Sequence, residues 1–428
     1  MENYLPRLVD GKLDQLLKIS GAVEICGPKW SGKTTSAMQK AASSLFLDDE
    51  PDSIAMGKAY PSMLLDGPDP RLIDEWQLCP PLWDAVRREV DRRNRFGQFI
   101  LTGSATPDVV DYGSGEKRLS VVHSGFGRIA RLHMRTMSLF ESGDSPGTVS
   151  LSKLFDAAEP VYATSRLDLE DMAYLLCRGG WPGAVRVEDR KLAVRVPATL
   201  LDELLENDLP RLVDLRKTRS EVLSLLRSYA RMESSQAPLS SILNDMTLGG
   251  NNFSRETVGK YIGILDRLYI IEELDAWNPN LRSKAAIQTT PTRHFSDPAL
   301  AAAALGAGPE SLMKDLNTFG LLFEGMVVRD LRIYAQTIDG TVHHYRDSSG
   351  LEADAVIQLA DGRWAPVEVK LFNPDRVDEG ARNLIRLAQR VDGTRLPAPS
   401  FKMVVTAGPK AYVREDGVFV VPLALLGP

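Results

Sequence analysis

Apolar and polar positions alternate in blocks along the first third of the chain. Apolar runs at residues 22–26, 72–73, 99–101 and 129–134 indicate strands, and an amphipathic pattern predicts a helix over 81–95. Strands separated by helical stretches are typical of βαβ units, in which helices cover a parallel sheet. These four runs therefore predict an α/β domain, and we expect its sheet to have five strands in all.

The middle of the chain, from about residue 150 to 300, has a mostly helical pattern. "LDLEDMAYLLCRGGWPGAV" predicts a helix that ends at Gly179 and Gly180. "PATLLDELLENDLPRLVDL" and "RSEVLSLLRSYARM" predict two amphipathic helices. We expect this block to form a helical lid packed on the preceding domain.

A different order of elements begins with "SSILNDMTLGG". It predicts a short helix, a glycine-rich turn, a second helix capped by Ser254 and an apolar strand over residues 269–271. This is the order of a winged helix-turn-helix, and Arg255, Lys260 and Arg267 would lie on or near the side that meets DNA. The alternative is that the winged helix packs against another domain or a protein partner.

From about residue 300 the pattern changes again. A helix carries Glu324 on an otherwise apolar face, and three strands follow, joined by turns at 348–350 and 360–362. A helix over about 377–391 and a last strand over 402–406 complete this part. The pattern predicts a second α/β domain.

The strands of this last domain carry charged residues with a specific spacing. Glu368 and Lys370 are two residues apart and share one face of their strand, and strand register can bring Asp354 beside them. A helix glutamate (Glu324), a strand aspartate and an E-x-K triplet occur in this order in the PD-(D/E)xK nuclease fold. There the carboxylates hold Mg²⁺ at a scissile phosphate and the lysine steadies the attacking water. The alternative is an inactive module that uses these charges as ion pairs, or that binds nucleic acid without cutting it.

A phosphate-binding motif occupies residues 27–34. The sequence Gly-Pro-Lys-Trp-Ser-Gly-Lys-Thr matches G-x-x-x-x-G-K-[ST] between a strand and a helix. Its backbone N–H groups would face a phosphate, Lys33 would reach the β- and γ-phosphates, and the Thr34 hydroxyl would bind Mg²⁺. The predicted nucleotide-binding residues here are Gly27, Lys29, Trp30, Ser31, Gly32, Lys33, Thr34 and Thr35. The alternative is a glycine-rich turn with a surface lysine.

Two acidic residues follow the apolar pair 72–73. Asp74 would hold Mg²⁺ through water, and Glu75 would polarise the attacking water. If the strand over 99–101 lies between the other two, Thr102 or Ser104 would meet the γ-phosphate. The alternative for Asp74 and Glu75 is a solvated acidic loop. The alternative for Thr102 and Ser104 is that their hydroxyl groups cap the next turn.

An arginine that offsets transition-state charge is also expected. Arg128, Arg131 and Arg135 are candidates, with Arg128 first, acting across a subunit boundary of a homo-oligomer. A surface or ion-pair role is the alternative.

Length and composition set the remaining limits. A chain of 428 residues is too long for one core, and we predict domains at 1–148, 149–225, 226–300 and 301–428. The net charge of −6 argues against wholesale coating of nucleic acid, although a local basic face is compatible with it. The three cysteines are far apart and lack Cys or His at ligand spacing, which is typical of reduced thiols in a cytoplasmic protein. Neither a signal peptide nor an apolar run long enough to span a membrane is seen, so we expect no membrane partner.

The whole chain resembles a bacterial and archaeal family of AAA+-type P-loop ATPases. The C-terminal domain of that family has no known function and is related to restriction endonucleases. The stretches that carry the resemblance are "GPKWSGKTT", "RLIDEWQLCPPLWDAVR", "FILTGSA", "HSGFGRIARLHMRTMSLFESG", "GGWP", "TVGKYIGILDRLYIIEEL" and "EADAVI…VEVK". The resemblance implies ATP binding at residues 27–34 and 74–75, and a restriction-endonuclease-like fold around Asp354, Glu368 and Lys370.

Two functions follow as expectations. The first is an Mg²⁺-dependent ATPase that controls the binding of DNA or RNA, with or without cutting it. The alternative is a nucleotide-gated switch that holds a protein partner and has an inactive nuclease-like domain.

Overall fold

In the computed structural model, the apolar runs of the first third of the chain form one parallel sheet. Its strands are β1 (Ala22–Cys26), β2 (Ser43–Phe46), β3 (Arg71–Asp74), β4 (Phe99–Gly103) and β5 (Ile129–His133), in the order β2-β3-β4-β1-β5. All neighbouring pairs are parallel. The predicted five-stranded α/β sheet is therefore confirmed. Because β4 lies between β1 and β3, the carboxyl ends of these three strands are adjacent.

Helices cover both faces of this sheet. They are α1 (Val9–Leu17), α2 (Lys33–Met38), α3 (Pro51–Ala59) and α4 (Pro81–Arg93). Val23 and Ile25 pack on the side of α1 and α2, whereas Phe99 packs on the side of α4. Burial on both faces explains why β1 and β4 are almost continuously apolar. Helix α4 ends slightly earlier than predicted, because Asn94 adopts a left-handed conformation with φ 47°.

The structure describes residues 4–49, 51–104, 125–209, 218–250, 253–279, 290–391, 393–394 and 396–428. The chain divides into two units. The first comprises Met1–Arg135 and Arg267–Tyr269, and the second comprises Thr136–Asp266 and Ile270–Pro428.

The second unit begins with helices, as predicted for the middle of the chain. They are α5 (Leu151–Asp156), α6 (Leu169–Arg178), α7 (Pro182–Val185), α8 (Arg190–Ala193), α9 (Val196–Glu203), α10 (Arg219–Arg231), α11 (Leu239–Leu248) and α12 (Arg255–Arg267). The end of the predicted helix "PATLLDELLENDLPRLVDL" lies outside the described residues from position 210 onward. The helices α13 (Pro298–Leu305), α14 (Pro309–Lys314) and α15 (Leu316–Thr337) follow.

A mixed seven-stranded sheet dominates the rest of this unit. Its order is β7-β12-β13-β11-β10-β9-β8. The strands are β7 (Ala163–Thr164), β8 (Gly340–Arg346), β9 (Glu352–Leu359), β10 (Trp364–Lys370), β11 (Met403–Thr406), β12 (Lys410–Val413) and β13 (Phe419–Pro422). Helix α16 (Pro374–Arg390) buries Val377, Leu384 and Leu387 in a core that also contains Trp364 and Val404.

Two strand predictions are wrong. No strand forms over 269–271, because Tyr269 has φ 56°, which an extended strand cannot accommodate. Ile271 instead makes an isolated bridge with Phe295. The strand at 402–406 is not the last, since β12 and β13 follow it and a short strand at Leu426–Gly427 ends the chain.

The predicted division into four domains stays a prediction. Two short strands from its lid segment pair with strands near the end of the chain: β7 pairs with β12, and β6 (Val149–Ser150) pairs with β14 (Leu426–Gly427). None of the described helices is both long and apolar enough to cross a membrane.

Candidate functional site

The loop after β1 turns sharply where its glycines stand. Gly27 has φ 150°, and a Cβ at this position would lie 2.0 Å from the Met134 carbonyl oxygen. Gly32, immediately before α2, has φ 98°. Because side chains disfavour both positions, the loop needs glycine there to pass the end of β5 and enter α2. Trp30, between them, also has a positive φ and is 62% exposed.

Lys33 lies inside this loop. The residue is 5% exposed, and its Nζ donates to the carbonyl oxygens of Gly27 at 3.1 Å and Pro28 at 2.8 Å. Burial lowers the pKa of Lys33 to about 8, although the carboxylates of Glu75 and Asp74 oppose this shift. The predicted phosphate-binding lysine is thus enclosed by backbone. Lys29 and Thr35 are partly exposed on the same segment.

Asp74 joins the loop to the neighbouring strands. Its Oδ1 accepts a hydrogen bond from Thr34 Oγ1 at 2.8 Å and another from Thr102 Oγ1. Burial raises the pKa of Asp74, and the two hydroxyl donors oppose this. The structure therefore brings Thr34, Asp74 and Thr102 together at one edge of the sheet. Their oxygen atoms form the hard donor set that Mg²⁺ prefers.

Glu75 has an unusual backbone. Its φ of 52° and ψ of 44° lie in the left-handed region, which for a glutamate requires support from the surrounding structure. The Glu75 N–H donates to Thr102 Oγ1 at 3.3 Å, and its Oε2 accepts from Ser104 Oγ at 3.0 Å. Gln77 Nε2 also donates to this carboxylate. The predictions included Ser104 but missed Gln77, for which the only signal was its place in "LIDEWQ".

A second residue missed from the sequence is Glu24, in the middle of β1. It is 2% exposed, and its Oε1 accepts from Trp76 Nε1 at 3.2 Å. Its Oε2 accepts from Arg131 Nε at 2.8 Å. Glu24 therefore ties Trp76, the residue after Glu75, to β1. A charge within an otherwise apolar strand was the available signal.

The candidate arginines lie in different places. Arg128 precedes β5 and pairs through Nε with Asp91 Oδ1 at 2.9 Å. Because β5 runs parallel to β1, Arg128 is at the amino edge of the sheet, opposite the loop at residues 27–32. The structure does not bring Arg128 to Lys33 within one chain. Arg131 is held by Glu24, and Arg135 follows β5 at the same edge as the loop.

The charged residues of the second unit do meet. Lys370 Nζ lies 2.6 Å from Glu368 Oε2 and 3.4 Å from Asp354 Oδ2, and the Val369 N–H donates to Asp354 Oδ2 at 2.7 Å. In the antiparallel pairing of β9 and β10, Val367 lies opposite Ala355, so the next residues, Glu368 and Asp354, lie side by side. This agrees with the prediction from the alternation of residues along the two strands. We call Glu324, Asp354, Glu368 and Lys370 the acidic cluster.

Burial and like charge dominate the acidic cluster. Burial, followed by repulsion from Asp354, raises the pKa of Glu368 to about 8. The same two causes raise the pKa of Glu324 well above its usual range. Burial lowers the pKa of Lys370, but the Asp354 and Glu368 carboxylates outweigh this and move it above its usual range. Three carboxyl groups therefore share one ammonium group.

Glu368 has an unsatisfied oxygen. Its Oε1 is buried and has no hydrogen-bond partner among the residues that the structure describes. Helix α16 covers this side chain closely, since a Cβ at Gly380 would lie 3.3 Å from Glu368 Cβ. Even so, no group of three or more His, Cys, Asp or Glu side chains in the described part of the chain has the arrangement of a metal site. Lys370 is the cation that the cluster contains.

The predicted DNA-facing residues are less distinctive. Arg255 and Lys260 are exposed on α12, and Lys260 pairs with Glu256 at 2.9 Å. Arg267 at the end of this helix is partly buried and belongs to the first unit. A separate cleft of about 900 Å³ in the second unit, lined by Tyr174 and Arg190, contains none of the predicted site residues.

Comparison with known proteins identifies three regions. Residues 20–142 match a family described as an AAA domain. Residues 169–311 and 319–426 match two families described as domains of unknown function, DUF8612 and DUF4143. The AAA match covers the first sheet, the glycine-rich loop, Asp74 and Glu75, so the first unit has the fold of a P-loop ATPase of the AAA type. The matches do not assign a nuclease-like, lid or winged-helix identity to the rest of the chain.

Similar proteins are distant. Two uncharacterized proteins, from Mycobacterium bovis and Mycobacterium tuberculosis, are 23% identical over 380 residues, which is 87% of this chain and 76% of each relative. Among solved structures, the Walker-type ATPase of Pyrococcus abyssi is 14% identical with a TM-score of 0.41, over 69% of this chain and 94% of that one. AMPPCP-bound DnaA from Aquifex aeolicus is 15% identical with a TM-score of 0.27, over 60% of this chain and 86% of that one.

Proposed function

We propose that the first unit binds ATP with Mg²⁺ and hydrolyses it. The observation that carries this proposal is the meeting of the Lys33 loop with the Thr34–Asp74 oxygen pair, 2.8 Å apart. Two further features support it. The buried Ser31 Oγ has no partner among the described residues, and a phosphate oxygen in the loop would satisfy it. Lys33 would leave the two loop carbonyls to bind the β- and γ-phosphates.

Thr34 and Asp74 are the residues that would hold Mg²⁺. Both offer oxygen atoms, and Asp74 is buried, so its charge is poorly screened by water. Thr34 would bind the ion directly and Asp74 through water. A bound Mg²⁺ would supply positive charge that offsets the charge developing on the phosphates.

Glu75 is proposed to accept a proton from the attacking water. The left-handed backbone of Glu75 and the hydrogen bond from its N–H to Thr102 Oγ1 fix the direction in which the side chain leaves the backbone. Ser104 and Gln77 then orient the carboxylate oxygens. A base held at the end of the strand beside the loop can face a γ-phosphate without rearrangement of the sheet. Ser104 would also respond to the loss of that phosphate.

Arg128 is proposed to act only across a subunit boundary. We expect Arg128→Gln to leave ATP affinity unchanged, because Arg128 lies at the edge of the sheet opposite Lys33. In a homo-oligomer that places Arg128 at a neighbouring site, turnover should fall by about 10³-fold. The test measures ATP binding and turnover of Arg128→Gln across protein concentrations. The same measurements are made on mixtures with Lys33→Ala, in which a hybrid site combines Lys33 from one variant with Arg128 from the other.

Restored turnover in those mixtures is the expected outcome for Arg128. Equal turnover of wild type and Arg128→Gln at every concentration would exclude the role. Weaker ATP binding by the variant would contradict the placement of Arg128 away from the site.

A second function is proposed for the acidic cluster, namely metal-dependent binding of nucleic acid, with or without cleavage. The specific support is the buried Glu368 Oε1, which has no partner among the described residues, in a cluster where burial and like charge raise the pKa values of Glu324 and Glu368. A divalent cation would relieve the repulsion among them, with Asp354 and Glu368 as ligands and Glu324 as a further one. Lys370 would then be released toward a phosphate. With both sites active, the protein would be an ATPase that controls the binding of DNA or RNA. The exposed Arg255 and Lys260 would contribute to that binding.

Removing the carboxylates should remove the cation site. We expect Asp354→Asn and Glu368→Gln to abolish saturable Mn²⁺ binding to the second unit, since each change deletes a charged ligand. Glu352→Gln is the control, because Glu352 shares the strand face of Asp354 but is itself exposed and pairs loosely with Arg346. Mn²⁺ titration in an Asp74→Asn background removes the contribution of the cation site beside the nucleotide, and a nuclease assay with DNA and RNA accompanies it.

The outcomes of this titration separate the alternatives. Metal binding with cleavage supports an active site, and metal or nucleic-acid binding without cleavage supports an inherited remnant. If the wild-type second unit binds neither, the charges are structural. The alternative function would then be favoured, namely a nucleotide-gated switch for a protein partner, in keeping with Lys370 as the cation of the cluster.

A further inference from the structure

The segment before α1 contacts the phosphate-binding loop. Arg7 is buried, and its NH1 donates to the Ser31 carbonyl oxygen at 2.7 Å. Its NH2 donates to the Arg135 carbonyl oxygen at 2.8 Å. One guanidinium group therefore joins the loop to the backbone that follows β5. These two carbonyl groups are 104 positions apart in the sequence and are held by the same side chain.

Other contacts hold the Arg7 segment in place. Asp10 Oδ2 accepts from the Arg7 N–H at 2.9 Å and from Tyr4 Oη at 2.6 Å. Tyr4 Oη also lies 2.9 Å from Ser36 Oγ, on the helix that follows the loop. The segment thus reaches the loop, the helix after it and the end of the edge strand. A residue serving only as a surface ion pair would not make this set of contacts.

The contact with Ser31 constrains one peptide unit. In a planar trans peptide, the carbonyl of Ser31 and the N–H of Gly32 point in opposite directions. When Arg7 holds the Ser31 carbonyl on its own side, the Gly32 N–H must point the other way. Gly32 is the second glycine of the motif, where backbone N–H groups face a bound phosphate. By fixing the direction of the Ser31 carbonyl, Arg7 therefore fixes the direction in which the Gly32 N–H points.

We infer that Arg7 is a positioning residue for the phosphate-binding loop, which sets the direction of the Gly32 N–H through the Ser31 carbonyl. This inference rests on the proposed nucleotide site. Arg7 does not touch the phosphate in this account. Its planar fork can hold two carbonyl groups at once, whereas a lysine has one compact ammonium group and a different geometry. A lysine at position 7 keeps the charge and loses the double contact.

The experiment compares Arg7→Lys with Arg93→Lys. Arg93 is also largely buried in the first unit and donates to a backbone carbonyl, that of Leu65, but lies on α4 away from the loop. We expect Arg7→Lys to weaken Mg·ATP binding by about tenfold, the size of one charge-assisted hydrogen bond, and Arg93→Lys to leave it unchanged. Titration calorimetry on the full chain measures both. Hydrogen exchange of the loop amides without nucleotide is the second measurement, and only Arg7→Lys should accelerate it.

Each outcome decides a different claim. If wild type binds Mg·ATP and Arg7→Lys binds it equally well with unchanged amide exchange, the positioning role is overturned and the nucleotide site stands. If wild type binds no nucleotide, the proposed function fails, and loop exchange alone decides whether Arg7 orders the loop. Should Arg7→Lys fail to fold, Tyr4→Phe replaces it. That variant removes the Tyr4 contacts with Asp10 and Ser36, which hold the Arg7 segment without touching the loop carbonyl. It should weaken binding by about threefold, and an unchanged affinity would overturn the inference.

Discussion

Replacement of Glu75 by glutamine is expected to lower ATP turnover by roughly 10²–10³-fold, the usual contribution of a general base. ATP affinity should be nearly unchanged, because the amide keeps the shape of the side chain and its contacts with Ser104. The variant loses only the group that accepts a proton from water. Parallel measurements of phosphate release and equilibrium binding separate these two effects.

Asp52→Asn provides the control for Glu75→Gln. It makes the same carboxylate-to-amide change at an exposed position in the first turn of α3, so it should keep full turnover. If folded Glu75→Gln hydrolyses ATP as fast as wild type, Glu75 is not the base and the chemistry assigned to this edge of the sheet is wrong.

Replacement of Lys33 by alanine is expected to weaken ATP binding by about 100-fold, since charge-assisted contacts with phosphate oxygens are lost. The fold should survive, because alanine is a good helix former at the start of α2. Nucleotide should therefore raise the midpoint of thermal unfolding in wild type and not in the variant.

The matched lysine is Lys40, which lies just beyond the same helix and pairs with Asp14 at 2.7 Å. Lys40→Ala should bind ATP like wild type. A folded Lys33→Ala protein with wild-type affinity would show that nucleotide binds elsewhere or that the loop has another use.

The parts of the first unit that could be predicted are those with a local cause. Glycines at 27 and 32 are required by the backbone angles of a single loop, and the strands show themselves as buried apolar runs. The acidic pair 74–75 follows directly from the end of such a run. The position of β4 could also be predicted conditionally. If β4 lies between β1 and β3, its polar end, with Thr102 and Ser104, lies at the same edge of the sheet as the loop and Asp74.

The parts that could not be predicted depend on tertiary contacts. Arg7, Glu24 and Gln77 acquire their roles from partners on other elements, and nothing local distinguishes Arg7 from any other arginine near a helix start. The positive φ of Tyr269 breaks a run that reads as a strand by composition alone. Pairing of β6 with β14 joins residues more than 270 positions apart, beyond the reach of periodicity.

The acidic cluster could be predicted from the sequence only in part. Alternation along β9 and β10 was enough to predict that Asp354, Glu368 and Lys370 share a face. The burial of Glu368 beneath Gly380 was not evident, because it depends on how closely α16 packs. That burial is what raises the pKa of Glu368 and makes the cluster more than a surface ion pair.

The most direct test of the central claim is a single-turnover measurement of phosphate release from γ-labelled ATP by an excess of the full chain, with and without DNA and RNA. We expect release that requires Mg²⁺, stops on chelation, and is slowed in Glu75→Gln while ATP remains bound. A folded wild-type chain that neither retains ATP nor releases phosphate above the buffer rate, under any of these conditions, would contradict this claim.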